Sequence, residues 1–366
     1  MNIVLDRKLL INLLHKTISP TVSKTNFPIL STVLIDFSDK KMKVTATDLE
    51  LTIISYLEIS QDIKASFCVS LTKFLSILKE LSSVEVTLKL QKNFLWITCE
   101  NCELKLNIID PQEFPKPPTL KDKEVIKLSP EILGEMIKFS SFSVFVGEGN
   151  YVLSGIFCEI EKNKIRLTSS DTKRLSSIER ALPSNQPELN TRKTFIIPHK
   201  AIIELSKLIK ESEQELLLVI GKNQIGFDLK DTQIITQLIE GEFPEYKKYI
   251  PKEAEHKLKI DREKFLSSLK RASVLSAPEY YSVKLEVSKN KLMVSKATPQ
   301  LGEYKEEIDV DYKGKNITLG FNPDYLKDVL KVVEEDEVSL DLYDPEKPLV
   351  LRNNGYIYLA LPMRLT

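Results

Sequence analysis

Glycine is scarce, with 11 in a chain of 366 residues. Loops that cradle phosphates on successive backbone N–H groups need several glycines at fixed spacing, and no GxGxxG or GxxxxGK[ST] run occurs. Histidine is rarer still. His15, His199 and His256 stand far apart, so a histidine metal centre has little to build on, and neither HExxH nor GxSxG is present. Four cysteines make no disulfide framework in a chain this long, which fits a reducing cytoplasm. No apolar run approaches the ~20 residues of a membrane span. The start, Met1-Asn-Ile-Val-Leu-Asp-Arg-Lys8, is polar where a secretory signal needs an apolar core. Charge of one sign is missing as well: Lys plus Arg and Asp plus Glu both number 52. That balance excludes a histone-like binder but leaves local patches open.

What the chain has instead is a repeated pattern. Phe67-Cys-Val69, Thr194-Phe-Ile-Ile197 and Ile317-Thr-Leu-Gly-Phe321 are short apolar runs, each followed by apolar residues at helical spacing, over 69–81, 197–209 and 321–333. Ser70, Pro198 and Asn322-Pro323 supply the helix-start signals. A second strand–helix module opens each unit. The three instances lie at 3–18, at 125–139 with Ser129 as cap and Pro130 at the first helical position, and at 258–272 with Asp261 as cap. Between the modules lie alternating runs such as 32–37, 154–160 and 283–287, punctuated like hairpins, so antiparallel sheet with one apolar face is expected. A spacing of roughly 125 residues indicates internal triplication. Proline clusters at 110–118 and 240–251 mark the joins. The expected domains are 1–121, 122–251 and 252–366: three tandem α+β domains, each with two helices on antiparallel sheet and roughly eight short strands.

Few residues invite catalysis. Cys99-Glu-Asn-Cys102 could be a redox or metal half-site, but Glu100-Asn101 reads better as a hairpin turn, and no second CxxC completes a zinc site. Cys68 and Cys158 fall in apolar strands as small core residues. Asp48 and Glu50, in Thr45-Ala-Thr-Asp-Leu-Glu50, could suggest acid–base or metal work. Asp171, in Thr168-Ser-Ser-Asp-Thr-Lys-Arg-Leu175, repeats the context. An Asp after a strand more often closes an Asx turn. No metal or cofactor is expected. The six helices carry an excess of Lys and Arg, offset by acid in loops such as Glu334-Glu-Asp-Glu337. If they faced one partner, they would form a weak, sequence-blind surface for phosphates.

Specific words then accumulate: Phe27-Pro-Ile-Leu30, Thr45-Ala-Thr-Asp-Leu-Glu50, Ser170-Asp-Thr-Lys-Arg-Leu175, Glu242-Phe-Pro-Glu-Tyr246, Leu319-Gly-Phe-Asn322 and Leu361-Pro-Met-Arg-Leu365. In these words and in their order, the whole chain resembles the bacterial sliding clamps, the beta subunits of DNA polymerase III. The resemblance implies DNA-clamp domains that close as a two-subunit, six-domain ring, a homodimer threaded by duplex DNA without regard to sequence. It implies a non-catalytic, cytoplasmic processivity factor. Its partners would be the polymerase III alpha subunit, clamp-loader subunits, other polymerases and repair proteins, with no membrane. The family's partner-peptide groove maps onto Leu153, Ser170, Thr172, Lys173, Arg174, Leu175, Pro244, Lys248, Tyr249, Leu359, Ala360, Leu361, Pro362, Met363 and Arg364. Its DNA contacts map onto Lys24 and Tyr151, joined by Lys73, Lys200 and Lys207 of the helices. Its subunit joint maps onto Val274 and Leu275 of one copy against Leu104 of the other. The chain departs from the family pattern at Thr172 and Lys173, where glycine and histidine are usual, and at Lys248 and Leu361, where arginine and methionine are usual. Two rival readings are a metal-dependent nuclease using Asp48, Glu50 or Asp171, and a monomeric peptide-binding scaffold.

Overall fold

A computed structural model describes residues 2–21, 27–120, 124–183, 189–210, 215–254 and 256–365. The first stretch of chain gives β1 (Asn2–Asp6), α1 (Arg7–Lys16), β2 (Thr32–Ser38), β3 (Lys41–Thr47), β4 (Leu51–Glu58), β5 (Ala65–Ser70), α2 (Leu71–Glu80), β6 (Glu85–Gln91), β7 (Phe94–Cys99) and β8 (Cys102–Ile109). The same order follows as β9 (Glu124–Leu128), α3 (Pro130–Ser140), β10 (Gly155–Lys162), β11 (Lys164–Ser170), β12 (Arg174–Ala181), β13 (Leu189–Pro198), α4 (His199–Ile209), β14 (Leu216–Ile220), β15 (Gln224–Asp228) and β16 (Thr232–Gln237). It recurs as β17 (Lys257–Asp261), α5 (Arg262–Ser273), β18 (Val283–Ser288), β19 (Lys291–Thr298), β20 (Gly302–Asp309), β21 (Ile317–Phe321), α6 (Pro323–Val332), β22 (Glu337–Asp341), β23 (Leu349–Asn353) and β24 (Tyr356–Ala360). Eight strands and two helices per repeat is the count that the sequence leads one to expect.

Local chemistry explains the helix starts. The Asp6 carboxylate accepts from the Leu9 amide at 2.9 Å, Asp261 accepts from Lys264 at 2.8 Å, and Asn322 accepts from Asp324 at 2.9 Å with Pro323 beside it. Pro198, expected to open a helix, instead ends β13 opposite Gly155, and α4 begins one residue later. Repeats one and three also share a helix stop. The Arg7 guanidinium donates to the carbonyls of Leu78 (3.0 Å) and Ser83 (2.7 Å), and Arg262 donates to those of Leu330 (3.2 Å) and Glu335 (2.9 Å). In both cases the arginine that starts one helix satisfies a last-turn carbonyl of the other and a carbonyl of the loop that follows it. Pro130 holds the corresponding place in the middle repeat.

The chain packs as two compact units, 1–131 with 200–238, and 132–199 with 239–366. The middle repeat is therefore divided between them. In the first unit one sheet runs β1-β6-β7-β8-β5-β2-β3-β4-β16-β15-β14-β9. In the second, β13-β10-β11-β12-β24-β23-β22-β17 form one sheet and β20-β19-β18-β21 another. The fourth strand of one repeat thus pairs with the eighth of the next, twice over. β4 pairs with β16 from Leu51↔Thr236 to Ser55↔Thr232, and β12 with β24 from Arg174↔Ala360 to Ile178↔Tyr356. In the first unit α1 buries Leu10, Leu13 and Leu14, and α2 buries Leu71, Phe74, Leu75 and Leu78, in one core with Ile35, Phe37, Val44, Phe67, Val86 and Leu95.

Candidate functional site

In the second unit, Leu175 of β12 and Leu359 of β24 lie directly opposite each other in register, so both side chains leave the same sheet face. They are buried with Tyr246 and Val350, and Phe157, Phe243, Ile250, Tyr343 and Ile357 pack around them. Phe157 and Phe243 stack with centroids 4.8 Å apart. One buried acid fastens the segment that carries Phe243 and Tyr246: Glu159 accepts from the Tyr246 hydroxyl, Lys247 and Arg192. Burial alone would raise its pKa, but these donors hold its carboxyl below the ordinary range. Pro244, Lys248 and Tyr249 form an exposed rim, Tyr249 at 72% exposure, and Lys248 pairs with Glu245. A cavity of about 620 Å³ continues from the cluster past Tyr246, Ile250 and Ile357 into a charged stretch with Arg166, Glu179, Lys257 and Glu253.

The segment after β24 borders this slot. Leu361 donates its amide to the Lys173 carbonyl and Met363 donates to the Gly320 carbonyl, both at 2.8 Å. Leu361 and Met363 stay exposed at 36% and 39%, and Pro362 lies half-buried between them. Ala360 is fully buried, and Arg364 is exposed. Leu153 is buried in a short turn whose carbonyl accepts from the Phe145 amide at 3.0 Å.

The turn from Ser170 to Arg174 sets the slot's upper edge. Asp171 accepts from the amides of Lys173 and Arg174, each at 2.9 Å, and the Ser170 hydroxyl donates to the Arg174 carbonyl at 2.8 Å. Asp48 does the same for Glu50 (3.0 Å) and Leu51 (2.7 Å). The Asx-turn reading therefore holds at both places, and Asp48 also pairs with Lys200. Arg174 is not a free cation. Its guanidinium donates to Asp171 (2.8 Å), Asp328 (2.8 Å) and the Phe142 carbonyl (2.7 Å), and it stacks 4.7 Å above the Tyr325 ring. Thr172 and Lys173 are exposed, and Thr172 sits at φ +75°, a left-handed conformation that a β-branched side chain adopts only at a cost. The glycine that the resemblance gives as usual there would not meet this cost. Thr172→Gly is expected to raise the unfolding free energy by about 1 kcal/mol, because a steric penalty of about 1–2 kcal/mol is relieved against a smaller gain in unfolded-chain entropy. A chemical denaturation midpoint reads the change.

The remaining candidates are more dispersed. In the first unit Lys73 is exposed on α2, whereas Lys200 pairs with Asp48 and Lys207 with Glu204. In the second unit Tyr151 is exposed. Lys24 lies outside the described residues. Leu104 is half-buried on β8, and β8 bonds β7 along Cys102–Asn107 while touching β5 only at Ile108 and Ile109. Most of its outer edge is therefore open. Val274 is 79% exposed just past α5, with Leu275 half-buried behind it.

Cys99 and Cys102 face each other across the expected hairpin turn as free thiols, and Cys68 and Cys158 are buried. Burial pushes the Cys68 thiol up to about 12 and raises that of Cys158 as well, so both behave as apolar residues. Among the described residues no three His, Cys, Asp or Glu side chains gather as a metal site, and no helix is long and apolar enough to cross a membrane. Sequence reasoning overlooked Gly320, Phe157, Tyr246 and Asp328. Gly320 and Tyr246 stood inside quoted words; Phe157 and Asp328 gave no local signal.

Family models for the N-terminal, central and C-terminal domains of the DNA polymerase III beta subunit match residues 1–118, 127–245 and 247–364. The beta sliding clamp of Staphylococcus aureus is 28% identical over 380 aligned residues, covering 100% of this chain and 99% of that one. The DNA polymerase sliding clamp of Bacillus subtilis superposes with a TM-score of 0.94 at 25% identity, with both chains covered in full. A DNA polymerase III beta subunit from Eubacterium rectale gives 0.93 at 26%, again over both whole chains. With three domain models in order along its length, the chain belongs to the DNA polymerase III beta subunit family, the bacterial sliding clamps.

Proposed function

We propose that the protein is a non-catalytic processivity clamp, in which two copies close head to tail around duplex DNA and tether polymerases and repair factors through the groove of the second unit. One observation carries the ring. The fourth-to-eighth strand ladder is made at β4–β16 and at β12–β24. The two strands left over are β20, the edge of its sheet, and β8, open along most of its length. An open edge invites another chain. A second copy that supplies β8 to β20 repeats the same ladder, and a head-to-tail contact of that kind must close or polymerise. Leu104 lies on β8, and Val274 and Leu275 directly follow the helix that packs against β20's sheet, which supports their assignment to this joint.

Six repeats around one axis then bring twelve helices to a duplex. Lys73, Lys200, Lys207, Lys24 and Tyr151 meet the phosphates without reading bases. Because retention is topological, ion pairs such as Lys200–Asp48 and Lys207–Glu204 are no handicap: a clamp that slides needs weak contacts. The groove takes short extended motifs with apolar anchors on Leu175 and Leu359, bordered by Leu361 and Met363. All the groove residues named from the family fall within the second unit, which supports this reading. Arg174 is the exception in role, acting from behind as a strut. Such a clamp works in the cytoplasm.

The test is topological. Protein loaded on a circular plasmid should persist through gel filtration and be released when one restriction cut linearises the DNA. Equal retention on open linear DNA would refute encirclement.

A further inference from the structure

Lys296 is the most deeply buried lysine among the described residues, at 3% exposure on β19. Among the described residues no carboxylate pairs with it. Its ammonium donates to two backbone carbonyls, those of Tyr280 (2.8 Å) and Ser282 (3.0 Å). Two residues on, the buried Thr298 hydroxyl donates to the Leu275 carbonyl. Three carbonyls of the 275–282 segment are therefore held by side chains of one strand. The segment has little other internal support: Ala277 and Tyr280 bridge each other, and Tyr281 is exposed. At its start is Val274, and beside the Thr298 contact, across the β19–β20 turn, is the exposed Leu301.

An ammonium buried without a counter-ion is an expensive way to satisfy two carbonyls, and burial lowers its pKa accordingly. An apolar side chain would avoid that penalty but leave both carbonyls without a donor, so what the lysine secures is the placement of the segment that carries them, with the exposed Val274 at its start. We infer that Lys296, assisted by Thr298, is a positioning residue for the subunit joint: it fixes the 275–282 segment so that Val274 and Leu275 present a rigid surface to a second copy of this chain. The inference rests on the assignment of the joint to Val274 and Leu275.

Dilution-series sedimentation of the full-length chain tests it. Lys296→Met should raise the dimer dissociation constant about tenfold or more, and Thr298→Val should raise it by a smaller factor. In both variants partner-peptide binding at the groove should stay as in the parent, and faster amide exchange should be confined to 275–282. Val274→Asp serves as the control for the joint itself. If Val274→Asp dimerises like the parent, the joint is elsewhere and the inference falls with it. If Val274→Asp dissociates while Lys296→Met and Thr298→Val dimerise normally, the joint stands and the role of Lys296 is overturned. Should Lys296→Met fail to fold, normal dimer affinity in Thr298→Val overturns it equally.

Discussion

Arg174→Ala is expected to lower the unfolding free energy of the second unit by about 3 kcal/mol, the lower end of the range for breaking a buried charge pair. The guanidinium is only 12% exposed, and removing it strands three acceptors at once: Asp171, Asp328 and the Phe142 carbonyl. Burial opposes the charge, but the Asp328 hydrogen bond and the fields of Tyr358 and Asp171 outweigh it, so the guanidinium's pKa lies above its ordinary value. Arg174→Lys should recover little, because one ammonium cannot reach three acceptors in a fork and stack on Tyr325 as well. Chemical denaturation followed by far-UV circular dichroism gives the number. The resemblance placed Arg174 among the peptide contacts. A variant with unchanged stability and lost peptide binding would restore that role and sink the strut.

The contrast between those two readings marks where the sequence stopped being legible. The helix starts at Asp261 and Asn322-Pro323 were plain because these residues act within four residues of themselves, whereas Pro198 proved to end a strand. The strands β12, β16, β20 and β24 were not named. β12 buries Ser176 and Ser177 on opposite faces, which erases the alternation of apolar residues. β20 reads Gly-Glu-Tyr-Lys-Glu-Glu-Ile-Asp, and Glu306, on the same face as Tyr304 and Ile308, is met there by Arg271 of α5, which donates to both its oxygens at 2.7 Å. A partner 35 residues away leaves no local mark. These four strands are also the fourth and eighth members of their repeats, the ones that join repeat to repeat. The order of the repeats was readable and their mode of joining was not, because joining is long-range pairing. The groove suffered likewise. Its tail and turn stood out as words, whereas Phe157 and Asp328 acquire meaning only when the linker and α6 close on the sheet.

Gly320→Ala should reduce the affinity for partner peptides more than tenfold, a loss of about 1.4 kcal/mol or more, while leaving the dimer intact. A methyl group at 320 would come within 2.5 Å of the Met363 carbonyl oxygen and 2.8 Å of a Leu365 methyl. The first contact is with backbone, so no rotamer change relieves it; the tail itself has to move. With it goes the Met363 amide bond to the Gly320 carbonyl, one of two bonds that seat the tail. Gly320 does not occupy the left-handed region, so space rather than backbone freedom demands glycine here. Alanine also suits a β-strand better than glycine does, so global stability should change little while fluorescence-polarisation titration with a labelled peptide records the loss. Deleting residues 361–366 should abolish the same binding. If deletion abolishes it and Gly320→Ala leaves it untouched, the tail acts through its composition alone. Equal losses would mean that the groove depends on where Leu361 and Met363 are seated, and that Gly320 is what seats them.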